Sequence, residues 1–203
     1  MEEKKYTESS IKSLDWKEHI WLRPTMYFEK CFEEHNLNSI ALEILCPAID
    51  EYFDDNCSEI RLSIKENAVQ IEYNAGMELR EVFGTTVAEN FMTKLMACKN
   101  EKKHLEVGQE YCLLGIATIN AVSERCELNT IWNKQKGYFI FEKGNTFLRE
   151  ISSAETSQNF TRISFEMSKE IFGDLKFEWE DLQLKLSSLR EKLPQLKMEL
   201  YKL

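Results

Sequence analysis

The sequence contains few of the residues from which nucleotide-binding loops and metal sites are commonly built. Its 203 residues include only 7 glycines, and no group of them has the spacing of a G-x-G-x-x-G turn or a Walker A loop. The 3 histidines are scattered, and no two of the 6 cysteines form a C-x-x-C pair. These absences exclude the Rossmann and P-loop patterns, and the sequence predicts no metal ligands.

Long apolar runs and an excess of basic residues are also absent. No stretch approaches the roughly 20 apolar residues of a membrane span, and residues 1–6 lack the apolar core of a secretory signal. We therefore expect no membrane contact, a cytoplasmic location and reduced cysteines. Because 35 acidic residues outnumber 26 basic ones, the net charge of -9 argues against direct DNA binding.

Enough hydrophobic residues are present for a substantial core. They make up 43% of the chain, aromatic residues make up 11%, and no linker interrupts the pattern. We therefore expect one domain over residues 1–203, in which residues 1–11 form an N-terminal arm.

Hydrophobic periodicity predicts helices and strands in a definite order. Residues 31–37 are expected to form a loop, and Asn38 or Ser39 is expected to cap a helix that Pro47 kinks. Helix 85–97 is expected to turn Val87, Phe91, Leu95 and Met96 inward. The predicted helices are 9–22, 38–53, 85–97, 111–123 and 179–193, and the predicted strands are 60–64, 69–73, 126–132, 138–141, 146–149, 161–165 and 196–200. This order predicts an α+β two-layer sandwich.

Five segments resemble the ATPase domain of the DNA gyrase B subunit and of topoisomerase IV, in the same order. Residues 10–27 contain SIK and RPTMY, where that family has S-I-K-x-L and R-P-G-M-Y. Residues 43–51 (EILCPAIDE) are similar to E-x-x-D-N-A-x-D-E, and residues 88–95 (AENFMTKL) to A-E-x-x-M-T-x-L. Residues 115–123 and 161–189 resemble later parts of the domain. The resemblance implies the GHKL fold, in which helices cover one face of a mixed β-sheet and ATP lies beneath a flexible lid.

The resemblance also assigns roles to residues of the first family helix. Glu43 matches the glutamate that activates the attacking water, a task that suits a carboxylate. Pro47 stands where the family has the asparagine that holds magnesium, and proline has no side-chain oxygen for that metal. Glu43, Pro47 and Asp50 are expected on the pocket side of this helix.

The two later nucleotide motifs depart further from the family. Tyr73 stands where the family has the aspartate that binds adenine, and Met77 replaces a glycine. A register shifted by one residue instead aligns Asn74 and Gly76 with the motif. In the phosphate loop only Gly115 remains, beside Leu113 and Leu114.

These matches define a candidate pocket in which Tyr73, Met77 and Leu113 are expected to fill part of the space. Its candidate residues are Glu43, Asp50, Tyr73, Gly76, Gly115 and Thr161, the last of which matches a pocket threonine. We therefore predict a degenerate, non-hydrolysing gyrase-B-like domain, a pseudo-ATPase that needs no cofactor and acts as a binding or regulatory module.

Other interpretations of the sequence remain open. The chain could bind Mg-ATP in an altered pocket and hydrolyse it slowly with Glu43, or it could be a DNA-associated accessory protein, which the net charge opposes. We expect a protein partner. We also expect at most a weak homodimer through the arm, whose Tyr6 matches a tyrosine that reaches the partner subunit in the gyrase family.

Overall fold

The computed structural model describes residues 14–95, 107–108 and 113–203. The N-terminal arm, Cys98, Cys112 and most of the charged segment 99–110 lie outside these ranges. The helices are α1 (Trp16–Leu22), α2 (Pro24–Tyr27), α3 (Glu29–Glu33), α4 (Asn38–Glu43), α5 (Cys46–Phe53), α6 (Val87–Thr93), α7 (Ile116–Ala121), α8 (Lys169–Phe172) and α9 (Trp179–Lys192). The strands are β1 (Glu59–Lys65), β2 (Ala68–Tyr73), β3 (Glu81–Val82), β4 (Thr85–Thr86), β5 (Ser123–Trp132), β6 (Gln135–Glu142), β7 (Asn145–Ser153), β8 (Phe160–Met167) and β9 (Lys197–Lys202).

A mixed sheet of seven strands organises the fold. Its order is β7-β6-β5-β8-β2-β1-β9, and β3 pairs separately with β4. All neighbours in the large sheet are antiparallel except β1 and β9, which are parallel. The predicted hairpin is confirmed, since β1 and β2 pair from Ile60 opposite Tyr73 to Lys65 opposite Ala68.

Alternation along the strands separates a buried face from an open face. In β2, Val69, Ile71 and Tyr73 are buried, whereas the residues between them are only half-buried. Because successive strand residues point to opposite faces, the buried set meets the helices and the other set faces outward. The predicted α+β two-layer sandwich is therefore confirmed.

The predicted helix 38–53 is instead two helices. α4 ends at Glu43, and α5 begins at Cys46 with Pro47 in its first turn. Proline has no N–H to donate to the carbonyl four residues earlier, so an unbroken helix through Glu43 and Pro47 loses a hydrogen bond. In the first turn of a new helix that missing donor costs nothing, which places the break before Pro47.

Two more predicted helices are shorter and differently oriented than expected. In α6 the buried residues are Ala88, Glu89 and Met92, whereas Val87 and Phe91 are half-buried and Leu95 is exposed. The expected inward face is therefore wrong at Leu95 and partly right at Val87 and Phe91, the latter of which packs against the core, whereas Met96 lies outside the described residues. Within the described part of residues 111–123, only α7 is helical.

The C-terminal prediction is confirmed, and the predicted loop is partly wrong. α9 buries Leu182, Leu186 and Leu189 at helical spacing, and β9 follows as the last strand. Residues 31–37 are not wholly a loop, because α3 includes Cys31, which is buried.

The cysteines in the described ranges are free and buried. They are Cys31, Cys46, Cys57 and Cys126. Burial raises the pKa of Cys31 and of Cys57 to about 11, and it also raises the pKa of Cys126. Since thiolates are the reactive form, these residues act as small apolar side chains.

Candidate functional site

A cavity of about 320 Å³ lies where α5, α6 and the end of β2 meet. α5 contributes Pro47, Asp50 and Glu51 to its wall. The chain after β2 contributes Ala75, Gly76, Met77 and Glu78, and α6 contributes Val87, Ala88 and Phe91. The remaining lining residues are Asn56, Tyr73, Trp132 and Asn159. We call this space the α5–α6 cavity.

Helix α5 turns one side of its first turns toward the core. Its polar residues Asp50 and Glu51 line the cavity. Asp50 is buried, although carboxylates are seldom buried in proteins. Glu51 is half-buried and accepts a hydrogen bond of 2.9 Å from the Asn56 amide. The cavity therefore has two carboxylates on its helix wall.

Tyr73 ends β2 and occupies part of the space between the sheet and α5. Only 3% of its surface is exposed, and its hydroxyl is buried close to the side chain of Thr161. Burial raises the pKa of the Tyr73 phenol far above its ordinary value, so the side chain stays neutral. Met77 is buried beside the same cavity. These two residues narrow it as expected.

Gly76 is in close contact with the neighbouring strand. A Cβ atom built on Gly76 would lie 2.3 Å from the carbonyl oxygen of Ile131. This distance is much shorter than a van der Waals contact. Only glycine therefore allows the backbone at position 76 to lie this close to β5.

Asn74, the residue that the shifted register aligns with the family aspartate, serves another purpose. Its side-chain oxygen accepts hydrogen bonds from the Ser58 and Glu59 N–H groups at 2.9 and 3.0 Å. Its amide donates to the Ser58 hydroxyl at 2.9 Å. Asn74 thus holds the beginning of β1 and does not line the α5–α6 cavity, which favours the register that begins at Tyr73.

Glu43 lies in a separate, smaller cavity of about 160 Å³. Only 6% of its surface is exposed, and its carboxylate accepts a hydrogen bond of 3.1 Å from the Leu114 N–H. Leu113 and Lys30 line this second cavity. The break between α4 and α5 therefore places Glu43 and Asp50, expected on one side of a single helix, beside different cavities.

Gly115 and Thr161 line neither cavity. Gly115 precedes α7 with a φ of 74°, a conformation that glycine adopts without strain. The Thr161 hydroxyl is buried and donates to the Ala75 carbonyl at 2.7 Å. Leu113, expected to fill the pocket, is 60% exposed. The structure thus brings together Asp50, Tyr73 and Gly76 and leaves the other candidates apart.

The α5–α6 cavity is acidic. Asp50, Glu51 and Glu78 line it, and no lysine or arginine of the described ranges does. Arg80 pairs with Glu78 without lining the cavity. No group of three or more metal-ligating side chains occurs in the described part of the chain.

Sequence reasoning missed several residues that shape this cavity. Trp132 ends β5 and Asn159 precedes β8, so both are far from α5 in sequence. Phe91 packs against the core, as predicted, and it also lines the cavity, which was not predicted. A signal was present for Trp132 alone, since tryptophan is enriched at interfaces.

Comparison with known proteins identifies relatives and the fold. No protein-family model matches the chain. The B subunit of DNA gyrase from Rickettsia typhi is 29% identical over 196 residues, covering 92% of this chain and 24% of the relative. The corresponding gyrase protein from Archaeoglobus fulgidus is 29% identical over 196 residues, covering 91% of this chain and 30% of the relative. The chain thus spans about a quarter of the length of the first of these relatives.

Solved structures give the same result. The 43K ATPase domain of Thermus thermophilus gyrase B, in complex with an aminocoumarin, has a TM-score of 0.70 and 22% identity and covers 92% of this chain and 48% of its own. The topoisomerase IV ATP-binding domain of Francisella tularensis, in complex with a small-molecule inhibitor, has a TM-score of 0.73 and 22% identity and covers 91% of this chain and 88% of its own. The predicted resemblance is therefore confirmed. Within the described ranges, every helix is too short or too polar to serve as a transmembrane span.

Proposed function

We propose that this chain, which has the fold of the gyrase B ATPase domain, does not hydrolyse ATP and acts as a binding or regulatory module. The observation that carries the proposal is the position of Glu43. The resemblance makes Glu43 the activating base, yet its carboxylate accepts the Leu114 N–H in a cavity separate from the one that contains Tyr73 and Asp50. A general base must reach the attacking water by a hydrogen bond, and this separation opposes that geometry.

The residues present do not fit a magnesium ion. Pro47 stands at the position that the resemblance assigns to the magnesium-binding asparagine, and it lines the α5–α6 cavity with carbon atoms only. Magnesium demands near-octahedral oxygen coordination, and Pro47 provides no side-chain oxygen.

The residues expected to hold the base of ATP also oppose binding. Where an aspartate would accept the adenine amino group, Tyr73 contributes a bulky buried phenol, and Met77 occupies the space of a glycine. Asp50, Glu51 and Glu78 add negative charge to the same wall. Phosphates brought near these carboxylates would be repelled, and more strongly in a partly enclosed space than in water.

Calorimetric titration of the full chain with ATP and magnesium tests the proposal. We expect a dissociation constant of about 1 mM at best, which corresponds to about -4 kcal/mol. No ATP turnover above background is expected, and Glu43→Gln should leave that background unchanged.

The alternative function is slow hydrolysis of ATP in an altered pocket. It is favoured by the retention of a buried carboxylate at Glu43. Micromolar binding of Mg-ATP together with turnover that Glu43→Gln abolishes would establish this alternative and reject the proposal. Glu150→Gln, which removes a charge from the exposed strand β7, is the matched control.

A partner protein follows from the proposed binding role. The curated relatives are named as subunits, that is, as components of an assembly. The chain matches only about a quarter of the first of them, so their whole-protein activity does not transfer to it. A gel shift with duplex DNA at low and moderate salt tests the accessory-protein interpretation, and we expect no shift because the net charge is -9.

A further inference from the structure

We infer that the outer edge of β7 binds an extended segment of a partner protein, which adds an antiparallel strand to the sheet and packs against Phe83. The inference deepens the proposed function, on whose binding role it rests, by naming the surface and the kind of partner. Three features of the described residues carry it: an unprotected strand edge, an exposed aromatic side chain and the charges along the edge.

The two edges of the large sheet differ in how they are protected. The edge strands are β7 and β9, since each has one neighbouring strand within the described ranges. Natural proteins protect such edges with short strands, with charged residues such as lysine, or with proline. β9 is six residues long and contains Lys197, Glu199 and Lys202. β7 is nine residues long and contains neither lysine nor proline, so its edge is the one that accepts another strand.

The side chains of β7 leave this edge open. All residues of the strand except Leu148 are exposed, and the exposed fractions of Phe147 and Ile151 are 68% and 39%. From Leu148 to Ser153 the strand pairs with β6 in unbroken register. A segment that pairs with the free side of β7 must itself be extended, because only an extended backbone repeats its N–H and C=O groups at the spacing of the edge.

Phe83 is the second feature of this surface. It lies at the tip of the β3–β4 hairpin, where Val82 pairs with Thr85, and Phe83 and Gly84 form the turn. The two turn residues have positive φ angles of 52° and 81°, for which asparagine followed by glycine is the favoured pair. A bulky residue with such a φ is strained, and Phe83 is also fully exposed. An aromatic residue that is costly to the fold and buries nothing within it indicates contact with another molecule.

Arg149 places Phe83 beside the edge of β7. Its guanidinium donates to the Gly84 carbonyl at 3.0 Å and pairs with the buried Glu89 carboxylate at 3.3 Å. The Thr146 hydroxyl donates to the same carboxylate at 2.7 Å. These contacts join the hairpin tip, β7 and α6. The aromatic side chain and the strand edge therefore form one surface before a partner binds, which lowers the cost of ordering it on binding.

The charges of the edge favour a partner segment over a second copy of this chain. Side chains directly opposite each other in an antiparallel pair interact, and like charges there are destabilising. In a symmetric pair of two β7 strands, the register that pairs their full length places Arg149 opposite Arg149. A partner strand with glutamate opposite Arg149 and lysine opposite Glu150 is favourable at both positions. The surface therefore fits an extended segment with an adjacent lysine and glutamate between apolar residues.

Nuclear magnetic resonance titration of the full chain with the capped peptide TTVKETV tests the inference. In antiparallel register this peptide places lysine opposite Glu150, glutamate opposite Arg149, and valines opposite Ile151 and Phe147. We expect saturable shifts of the amide signals of β7 and of the β3–β4 hairpin, with a dissociation constant of about 1 mM or lower. The signals of β9 should stay in place. Absence of any saturable shift at β7 would overturn the inference.

A second peptide, TTVEKTV, has the same composition with the two charges exchanged. It places lysine opposite Arg149 and glutamate opposite Glu150, so it should bind severalfold more weakly. Equal affinities of the two peptides would overturn the inference, because the charges of the edge would then select nothing.

N-methylated peptides test whether the backbone pairs. The N–H groups of successive residues in a strand point to opposite edges, so methylation of the odd or of the even residues of TTVKETV removes one set at a time. The peptide that keeps the N–H groups facing β7 should bind as the parent does. The other should bind about tenfold or more weakly, since it loses several backbone hydrogen bonds. Equal affinities of these two peptides would show that no strand is added and would overturn the inference.

Variants locate the surface. Phe83→Asn gives the turn its favoured residue pair, so the melting temperature should not fall, while the affinity for TTVKETV should fall severalfold. Phe147→Lys adds to β7 the charge that protects other edges and should also weaken binding. Leu184→Asn removes a similarly exposed apolar side chain from α9 and should leave the affinity unchanged. Unchanged binding in both Phe83→Asn and Phe147→Lys would refute the assignment.

Light scattering distinguishes the partner segment from a second copy. A dimer of the full chain that both Phe83→Asn and Phe147→Lys dissociate would identify a second copy as the occupant of the surface and overturn the inference. The peptide titrations contain no nucleotide. Their failure therefore rejects only this inference and leaves the proposed function standing, whereas micromolar binding and turnover of Mg-ATP would reject the proposed function whatever the peptides do.

Discussion

Gly76 illustrates how a glycine beside a candidate nucleotide site can be required by packing alone. It lines the α5–α6 cavity, but a Cβ at this position would meet the Ile131 carbonyl of β5. The contact is with backbone, which cannot rotate away as a side chain can. The glycine is therefore needed whether or not a ligand binds.

We expect Gly76→Ala to destabilise the protein by about 1–3 kcal/mol, the usual cost of overpacking a tight site. Urea denaturation followed by circular dichroism measures the change in the free energy of unfolding. Gly84→Asn is the control, because space is open around Gly84 and asparagine tolerates its φ of 81°. If Gly76→Ala lowers the free energy of unfolding no more than Gly84→Asn does, the backbone at Gly76 can move away from β5 at little cost.

At the scale of elements, an N-cap hydrogen bond and one ion pair hold helix α6 in position. The Thr86 hydroxyl accepts the Glu89 N–H at 3.0 Å, and Glu89 pairs with Arg149 of β7 at 3.3 Å. The buried Glu89 side chain also accepts a hydrogen bond from Thr146 at 2.7 Å. Because these contacts turn Glu89 inward, Val87 and Phe91 are rotated toward the cavity.

Thr86→Ala should lower the free energy of unfolding by about 1 kcal/mol, since it leaves a helix N–H without its acceptor. Thr86→Ser keeps the oxygen and should recover most of this loss, which separates capping from packing of the methyl group. Ser187→Ala, at an exposed position within α9, should cause almost no change. If Thr86→Ser is as unstable as Thr86→Ala, the loss of stability comes from the missing methyl group of Thr86 and not from the missing cap.

Helices α4 and α9 are joined by a polar cluster around Asn38. The Asn38 amide donates to Asp181 at 2.8 Å, and its oxygen accepts the Glu178 N–H at 2.9 Å. Asn38 therefore holds the beginning of α9, whereas the sequence predicts that it caps its own helix. Burial alone would raise the pKa of Asp181, but hydrogen bonds from Asn38 and Lys185 outweigh it and lower that pKa.

This lowered pKa predicts a pH-dependent contribution to stability. Asp181 binds a proton less readily when folded, so it stabilises the protein above its unfolded pKa of about 3.9, and the effect disappears as pH falls through the folded pKa. Because the Asp181 side chain is 43% exposed, we expect less than about 1 kcal/mol. Asp181→Asn should therefore be less stable than wild type at neutral pH and nearly equal to it at an acid pH below the folded pKa of Asp181. Urea denaturation at both pH values tests this, with Asp174→Asn in the exposed segment after α8 as the charge control.

For the whole molecule, we expect at most weak self-association through the N-terminal arm, which lies outside the described residues. Burial of Tyr6 and Ile11 would contribute roughly 1.5–3 kcal/mol for each side chain. Association costs an estimated 4–15 kcal/mol in lost freedom of motion. We therefore expect that the arm alone, without stabilisation by bound nucleotide, does not hold a tight dimer.

Light scattering of the full chain should therefore give a mass close to the 24.0 kDa of one chain at micromolar concentration. Addition of ATP and magnesium, or deletion of residues 1–11, should not change that mass. A tight dimer that dissociates when residues 1–11 are deleted would show that the arm contributes more than this estimate.

The order of elements followed from local patterns in the sequence. Alternation in β1 and β2 predicted their hairpin, and the spacing of Leu182, Leu186 and Leu189 predicted α9. Five matching segments also indicated the fold that the solved structures share. Such patterns depend on neighbours within a few turns or strands, so the sequence alone contains the information that they require.

The arrangement of the candidate site was decided by tertiary structure. The sequence identified Pro47 as a disruption of the helix. Only packing determined that the helix ends before Pro47, so that Glu43 and Asp50 line different cavities. Trp132 reaches that cavity from a strand 82 positions beyond Asp50, as the sequence numbering shows. Local periodicity cannot predict such contacts, because they form only when the sheet and both helices pack around one core.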